Sequence, residues 1–306
     1  MDFLFQSINY SICSTQSKQQ KMSKLRLAVQ KSGRLNEDSM KLLKAIGISI
    51  DNGKDQLKAS ARNFPMEVFF LRNGDIPQYL RDGVVDVAII GENVLVEKGD
   101  QISAVEKLGF SKCKVSIAVP KDSKATSLKD LAGKKIATSY PKTVEKYLDK
   151  AGITADIHII NGSVEIAPNI GLAEGICDIV SSGSTLFKNG LKEIEKLFTS
   201  EAVLAKSPSI SDENQAILDK IQFRLQSVLK GRENKYVLLN APNDKVDDII
   251  KILPGMRSPT ILPLAQQGWN SVHTVINKND FWNIIDELKE AGAEGILVCP
   301  IENMVQ

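Results

Sequence analysis

The chain has 306 residues, with 39 Lys and Arg against 37 Asp and Glu, a formal net charge of +2, and 42% hydrophobic residues. That composition supports a sizeable buried core and excludes disorder, collagen and coiled coil, while the length suits about two domains, or three if one is small. Near neutrality gives no long-range field for nonspecific nucleic-acid binding, and no apolar run approaches the ~20 residues that span a bilayer, so neither nucleic acid nor membrane is expected as a partner.

Residues 1–21 are rich in Gln and Ser, carry no sustained period, and lack the basic start and continuous apolar stretch of a secretory signal. The fold is expected to begin near Met22, leaving 1–21 as a flexible leader or the product of an upstream start. Leu25, Leu27 and Val29 then alternate as a strand, and Leu35, Leu42, Leu43 and Ile46 recur at helical spacing before Gly47, a left-handed helix end. Val68–Leu71, Val84–Gly91 and Val115–Val119 read as buried strands, the pattern of a parallel sheet in an α/β protein. Asp86 interrupts the second of these. A buried carboxylate without partners costs several kcal/mol, so Asp86 faces a ligand, a cation or backbone donors, or caps a neighbouring loop.

At Pro120–Ser123 the chain turns polar, which places a lobe boundary there: lobe I over 22–120 and 200–230, lobe II over 121–199. Ser127 with Asp130 marks a capped short helix, Ile136–Thr138 a strand, and Pro141 the first turn of a helix ending at Gly152. Ile157–Ile160 and Ile176–Val180 are further strands, a helix is expected through Leu186 and Leu191, and Ala202–Ala205 returns the chain to the first sheet. An amphipathic stretch, Asp212 to Lys230, leads to Gly231. Beyond it the order reads strand 235–239, helix 243–252, strands 259–264 and 271–277, helix 280–291 and strand 295–299. That βαββαβ order fits a ferredoxin-like module, with Trp282, Ile285 and Leu288 on one helix face.

Walker, dinucleotide and zincin signatures are absent, and the only histidines, His158 and His273, read as structural. The cysteines Cys13, Cys113, Cys177 and Cys299 lie far apart, as free thiols do in a reducing cytosol. The most informative segment runs from Glu165 to Leu186. After the strand Ile176–Val180, the turn Ser181-Ser182-Gly183-Ser184-Thr185 opens a helix, gathering backbone N–H groups and hydroxyls around one concavity suited to a phosphate monoester. Gly183 lets the backbone approach phosphate oxygens, and Asp178 is able to accept ribose hydroxyls. The pair fits a ribose 5-phosphate; an ordinary polar βα turn is the alternative. Elsewhere, Lys31 and Arg34 lie on a glycine-containing turn after the first strand, Arg62 and Arg72 flank another, and Glu92 and Asn93 follow Gly91 at a strand end where open α/β sheets place ligands. Thr138, Ser139 and Tyr140 hold the corresponding end in lobe II. Each of these cations has surface solvation as its plain alternative.

The spacing of Glu165, Gly171, Ala173, Ile176, Asp178, Ile179, Ser182, Gly183, Thr185 and Leu186 resembles the signature of the ATP phosphoribosyltransferase family. Gln30–Leu35, Asp82–Asp86, Ile90–Asn93, Ala137–Pro141 and Ser258–Ile261 resemble its long form, and the resemblance extends from about Ser23 to the C-terminus, leaving out the leader. It implies two periplasmic-binding-protein-like lobes and a C-terminal regulatory module. The implied reaction is attack of adenine N1 of ATP on phosphoribosyl pyrophosphate, with inversion, Mg²⁺ on the pyrophosphate and no covalent enzyme intermediate. On the positions that match, the resemblance implies Lys31, Arg34 and Asp86 as catalytic, and Glu165, Asp178, Ser181, Ser182, Gly183, Ser184 and Thr185 on phosphoribosyl pyrophosphate. It further implies Glu92, Asn93, Thr138 and Tyr140 on ATP or pyrophosphate, where Arg62 and Arg72 are candidates from their place beside a strand, and Asn240, Met256 and Thr260 at an inhibitory histidine site in a homo-hexamer. A noncatalytic two-lobed sensor, or a regulatory subunit on the same fold, is the competing reading.

Overall fold

The computed structural model describes residues 23–51, 56–181 and 183–305. The expected leader, Cys13 and Ser182 lie outside the described residues. Alternation builds the first lobe in the order β1 (Leu25–Gln30), α1 (Arg34–Ala45), β2 (Lys58–Ser60), β3 (Met66–Leu71), α2 (Ile76–Arg81), β4 (Val87–Gly91), α3 (Glu92–Lys98) and β5 (Ser103–Lys107). The chain then crosses over to β6 (Cys113–Pro120), β7 (Lys135–Thr138), α4 (Pro141–Ala151), β8 (Asp156–Ile159), β9 (Gly175–Val180), α5 (Ser184–Lys188) and β10 (Leu191–Ser200), and returns as β11 (Ala202–Lys206) and α6 (Asp212–Glu233).

The first sheet runs β2-β3-β1-β4-β11-β5 and the second β10-β6-β9-β7-β8. In the first, β1 is parallel to β3 and β4, and β11 runs antiparallel to β4 and β5. Period-two alternation gives each face its own cover. Leu25, Leu27 and Val29 pack with Leu42 and Leu43 of α1 and Leu218, Ile221 and Leu225 of α6, while Ala28, Ala88 and Ile90 pack with Ile76 and Leu80 of α2 and Val94 of α3. Leu42 and Leu43 are 1% and 2% exposed, as their helical spacing demands.

Three sequence expectations change. The strand Val115–Val119 is part of β6, which pairs with β9 and β10 in the second sheet, so the first crossover lies at residues 108–112 rather than at Pro120. Buried apolar strands look alike in either lobe, and pairing alone assigns them. Second, β4 starts at Val87, because Asp82–Asp86 is spent on the turn after α2. Third, α5 stops at Lys188; Leu191, expected to extend it, instead begins β10 beside Pro120.

The C-terminal module comprises β12 (Asn234–Pro242), α7 (Val246–Ile252), β13 (Thr260–Pro263), β14 (Trp269–Asn277), α8 (Phe281–Glu290) and β15 (Glu294–Pro300). Its antiparallel sheet, ordered β13-β14-β12-β15, is ferredoxin-like. Val246 and Ile249 of α7 and Leu288 of α8 cover one sheet face through Leu239, Ala241 and Val272. Trp282 does not share that contact: it is 77% exposed and stacks edge-on against Phe281, 5.1 Å between ring centroids. After β15 the chain folds back on α6, where Met304 N donates to Ser227 O at 2.9 Å.

Candidate active site

Both crossovers sit at the same ends of the two sheets. Ala202 pairs with Gly91 at the carboxyl end of β4, and Ser200 with Cys113 beside the carboxyl end of β9. Ala202 N donates to Phe110 O at 3.0 Å, and Gly109 N to a Glu201 carboxylate oxygen at 3.0 Å, tying the crossovers into one hinge. The carboxyl ends of β1, β3 and β4 therefore face those of β7, β8 and β9 across a cleft, the position where open α/β sheets bind ligands.

Lobe I brings Lys31 and Arg34 after β1 and Arg72 after β3. The two turns are adjacent, since Lys31 N donates to Leu71 O at 2.7 Å. All three side chains are exposed, and none forms an ion pair with a described residue. Glu92 opens α3, but its carboxylate is taken by Lys107 at 3.2 Å.

Two lobe I residues fall elsewhere. Asp86 precedes β4 at the amino end of the sheet, 3% exposed, where its carboxylate accepts the Arg26 backbone N–H at 2.7 Å and both Nε and Nη2 of Arg26, at 3.0 and 2.7 Å. That hydrogen bond holds the guanidinium above its ordinary pKa. Backbone and guanidinium donors solve the burial problem of Asp86, at the end of the sheet away from the cleft. Arg62 likewise lies at the amino end of β3, paired with Asp51, and does not reach the cleft.

On lobe II, Tyr140 ends the turn after β7. Its OH accepts from Asn93 Nδ2 at 3.1 Å, and Asn93 is itself 4% exposed, with its backbone N–H on Ser200 Oγ at 2.9 Å and its Oδ1 accepting from the same hydroxyl at 3.1 Å. Burial, then the negative charge of Asp178, push the Tyr140 hydroxyl pKa up, so it stays a neutral phenol at the cleft floor. Thr138 is fully buried; its hydroxyl donates to Cys177 O at 2.8 Å and accepts Tyr140 N at 2.9 Å. Thr138 shapes the turn and Asn93 ties the hinge, so neither side chain is open to ATP as the sequence suggested.

Asp178, on β9, has a raised pKa because burial penalises its charge; the Ile179 N–H, donating at 2.7 Å, opposes that, and the nearby Glu165 carboxylate adds to it. Glu165 stands on the short turn Val164–Ile166. Past Val180, Ser181, Ser184 and Thr185 are exposed. Gly183 caps α5 with φ +73°, and a Cβ there would meet nothing within 4 Å, so the glycine is required by conformation rather than by room. α5 has only five residues, so a helix dipole contributes little at this turn. Among the described residues, no group of three or more His, Cys, Asp or Glu side chains is arranged to hold a metal.

Glu97 went unnoticed in the sequence. It lies on α3 in lobe I, 4% exposed, and accepts Lys142 N at 3.1 Å, Thr143 N at 2.9 Å and Thr143 Oγ1 at 2.8 Å in lobe II. A cavity of about 260 Å³ next to it is lined by Asn73, Val94, Tyr140 and Gly162. Helical amphipathicity gave no sign of Glu97, since its partners are 45 and 46 residues away.

In the module a cavity of about 710 Å³ is lined by Tyr236, Met256, Arg257, Thr260, His273 and Met304, among others. His273 bonds Tyr236 OH through Nδ1 at 2.7 Å and Ser271 Oγ through Nε2 at 2.9 Å. Met256 and Thr260 line this space; Asn240 does not, its amide lying instead against Gly295 on β15.

Fold and cleft define a two-lobed α/β protein with an appended ferredoxin-like module. A model of the ATP phosphoribosyltransferase family matches residues 72–227, and one of the HisG C-terminal domain matches 231–303. The chain is 55% identical over 282 residues to an ATP phosphoribosyltransferase of Cytophaga hutchinsonii, covering 92% of this chain and 99% of that protein. One of Bacteroides thetaiotaomicron is 52% identical over 281 residues, with the same coverage. Among solved structures, an ATP phosphoribosyl transferase (HisG:HisZ) complex from Thermotoga maritima aligns at TM-score 0.56 and 28% identity, over 66% of this chain and 98% of that one. The chain belongs to the ATP phosphoribosyltransferase family, in its long form, and is an enzyme of the pentosyl-transferring class.

Proposed function

We propose that the cleft transfers the 5-phosphoribosyl group of phosphoribosyl pyrophosphate to N1 of the adenine of ATP, the first step of histidine biosynthesis. The N1–C1′ bond forms as the C1′–O bond to pyrophosphate breaks, with inversion. The observation that carries this reading is the opposition, across one hinge, of the Lys31, Arg34 and Arg72 turns to the Asp178–Thr185 arm. Departing pyrophosphate gathers negative charge while the ribose gains oxocarbenium character, so alignment and preorganised charge supply the catalysis, without a strong base.

In this scheme the Ser181–Thr185 turn, with Ser182, Gly183 and Ser184, grips the 5-phosphate, and Asp178 takes the ribose hydroxyls with Glu165 beside it. Lys31, Arg34 and Arg72 meet the pyrophosphate and the ATP phosphates, and neutral Tyr140 borders the base. Mg²⁺ is proposed to ride on the pyrophosphate; it demands phosphate oxygens, waters and one or two carboxylates, and Asp178 and Glu165 are the carboxylates of this arm. Histidine is proposed to bind in the module cavity at Met256 and Thr260, inhibiting a homo-hexamer, and the protein to work in the cytoplasm.

Incubating the full chain with ATP, Mg²⁺ and phosphoribosyl pyrophosphate should yield phosphoribosyl-ATP and pyrophosphate. Binding of both substrates without product would replace this reading with the sensor or regulatory subunit.

A further inference from the structure

The helix α4 begins at Pro141 behind Tyr140, and the side chain of Tyr140, at its N-cap position, takes no hydrogen bond from the helix's own amides. The first backbone N–H groups of a helix need partners, and a capping carboxylate there is stabilising. Here the partner comes from the other lobe. Glu97 reaches across from α3 to satisfy the amides of Lys142 and Thr143 and the Thr143 hydroxyl. Four residues earlier, on the same face of α3, Asn93 holds the Tyr140 hydroxyl. Lys142 adds an exposed pair with Asp100 at 3.0 Å, which contributes little.

A cap made within lobe II would steady α4 equally well and leave the lobes free to pivot. A cap made in trans does something else: its three bonds form at one lobe-to-lobe angle only, and a buried carboxylate at 4% exposure loses heavily if that angle opens without water replacing the donors. From α4 the geometry passes directly to the cleft, since Tyr140 N is fixed on Thr138 Oγ1, which is fixed on Cys177 O beside Asp178.

We infer that Glu97 is a positioning residue for the transfer reaction: by capping α4 across the cleft it sets the lobe angle at which Tyr140 and the Asp178–Thr185 arm face Lys31, Arg34 and Arg72. This rests on the cleft being the transfer site, and it adds a residue that touches neither substrate. Because the 5-phosphate and ribose of the donor are held within lobe II in this scheme and only its pyrophosphate reaches lobe I, loss of the clasp acts more on alignment of the two substrates than on donor binding.

The test compares the full-length wild type with Glu97→Gln, which keeps shape but sets an NH₂ against N–H donors, and Thr143→Val, which removes one bond and leaves the amide caps. Initial rates are measured alongside equilibrium binding of phosphoribosyl pyrophosphate and thermal melting. For Glu97→Gln we expect kcat to fall about 10- to 100-fold, as an ångström-scale misplacement does, while the donor Kd stays within about threefold. Thr143→Val should fall in between, with small-angle scattering showing a more open particle for Glu97→Gln. A kcat within twofold of wild type in both variants overturns the inference, and so does a purely structural outcome, in which melting drops but kcat per folded molecule is unchanged. If wild type itself makes no phosphoribosyl-ATP, the transfer reading fails, whereas active wild type with indifferent variants refutes only the role of Glu97.

Discussion

Replacing Asp86 by Ala separates a structural carboxylate from a catalytic one. Asp86 is 4% exposed at its side chain and receives three donors, the Arg26 amide and two guanidinium nitrogens, at 2.7 to 3.0 Å. Breaking a buried pair costs about 3–5 kcal/mol. The Arg26 side chain is 37% exposed, so water recovers part of its solvation, and the remaining loss centres on the stranded backbone N–H, which brings the expected cost to about 2–4 kcal/mol. At roughly 2–4 °C per kcal/mol for a unit of this size, the melting temperature of Asp86→Ala should fall by about 4–16 °C. The assay is a thermal melt of the full chain beside kcat at 20 °C, normalised to folded protein. Turnover should hold within about threefold. A variant that melts like wild type but loses activity a hundredfold would put Asp86 at the chemistry and refute the argument from its position at the amino end of the sheet.

Asp178→Asn should weaken the donor, raising its KM at least tenfold, yet raise the melting temperature at pH 7. The folded carboxyl has a pKa above its unfolded value, so it binds its proton more tightly when folded, and stability is lost as pH rises through the folded value. The gain from Asn should therefore be present at neutral pH and vanish below about pH 4; a gain that grows toward acid would contradict the burial argument. Gly183→Ala places a Cβ in the left-handed region at φ +73°, a strain of about 1–2 kcal/mol, and should raise the KM for phosphoribosyl pyrophosphate about tenfold with little change for ATP. Equal saturation curves would show the turn is not the phosphate seat. Removing the chain after Gly231 should abolish inhibition by histidine while exposing the α6 surface that Ser227 shares with Met304; a truncated enzyme that histidine still inhibits would move the regulatory site out of the module.

Local chemistry sufficed for much of this protein. The pattern Leu25-Leu27-Val29 states a strand, Pro141 and Gly152 bracket a helix with a proline start and a left-handed end, and Ser127 with Asp130 forms the reciprocal cap expected of that spacing. The βαββαβ order of the last 75 or so residues was equally legible, because strand and helix periods differ and the turns are short. The Asp178–Thr185 segment stood out because its residues are contiguous, so their chemistry is concentrated in one stretch of chain.

What tertiary structure decided were relations between distant residues. Nothing in Val115–Val119 distinguishes a strand of one sheet from a strand of the other; its hydrogen-bond partners Asp178 and Cys177 on one side and Lys192 on the other do. Burial of the Asp86 carboxylate demanded a partner of some kind, and only the register of β1 against β4 shows that Arg26 is that partner, 60 residues away. The Glu97 clasp is the extreme case: an unremarkable helical glutamate acquires a role solely because another lobe brings an uncapped helix to it. Sequence specifies the short-range terms, periodicity, caps and turn conformations, because they depend on neighbours along the chain; pairing, burial and the cleft depend on neighbours in space, which the folded chain alone brings together.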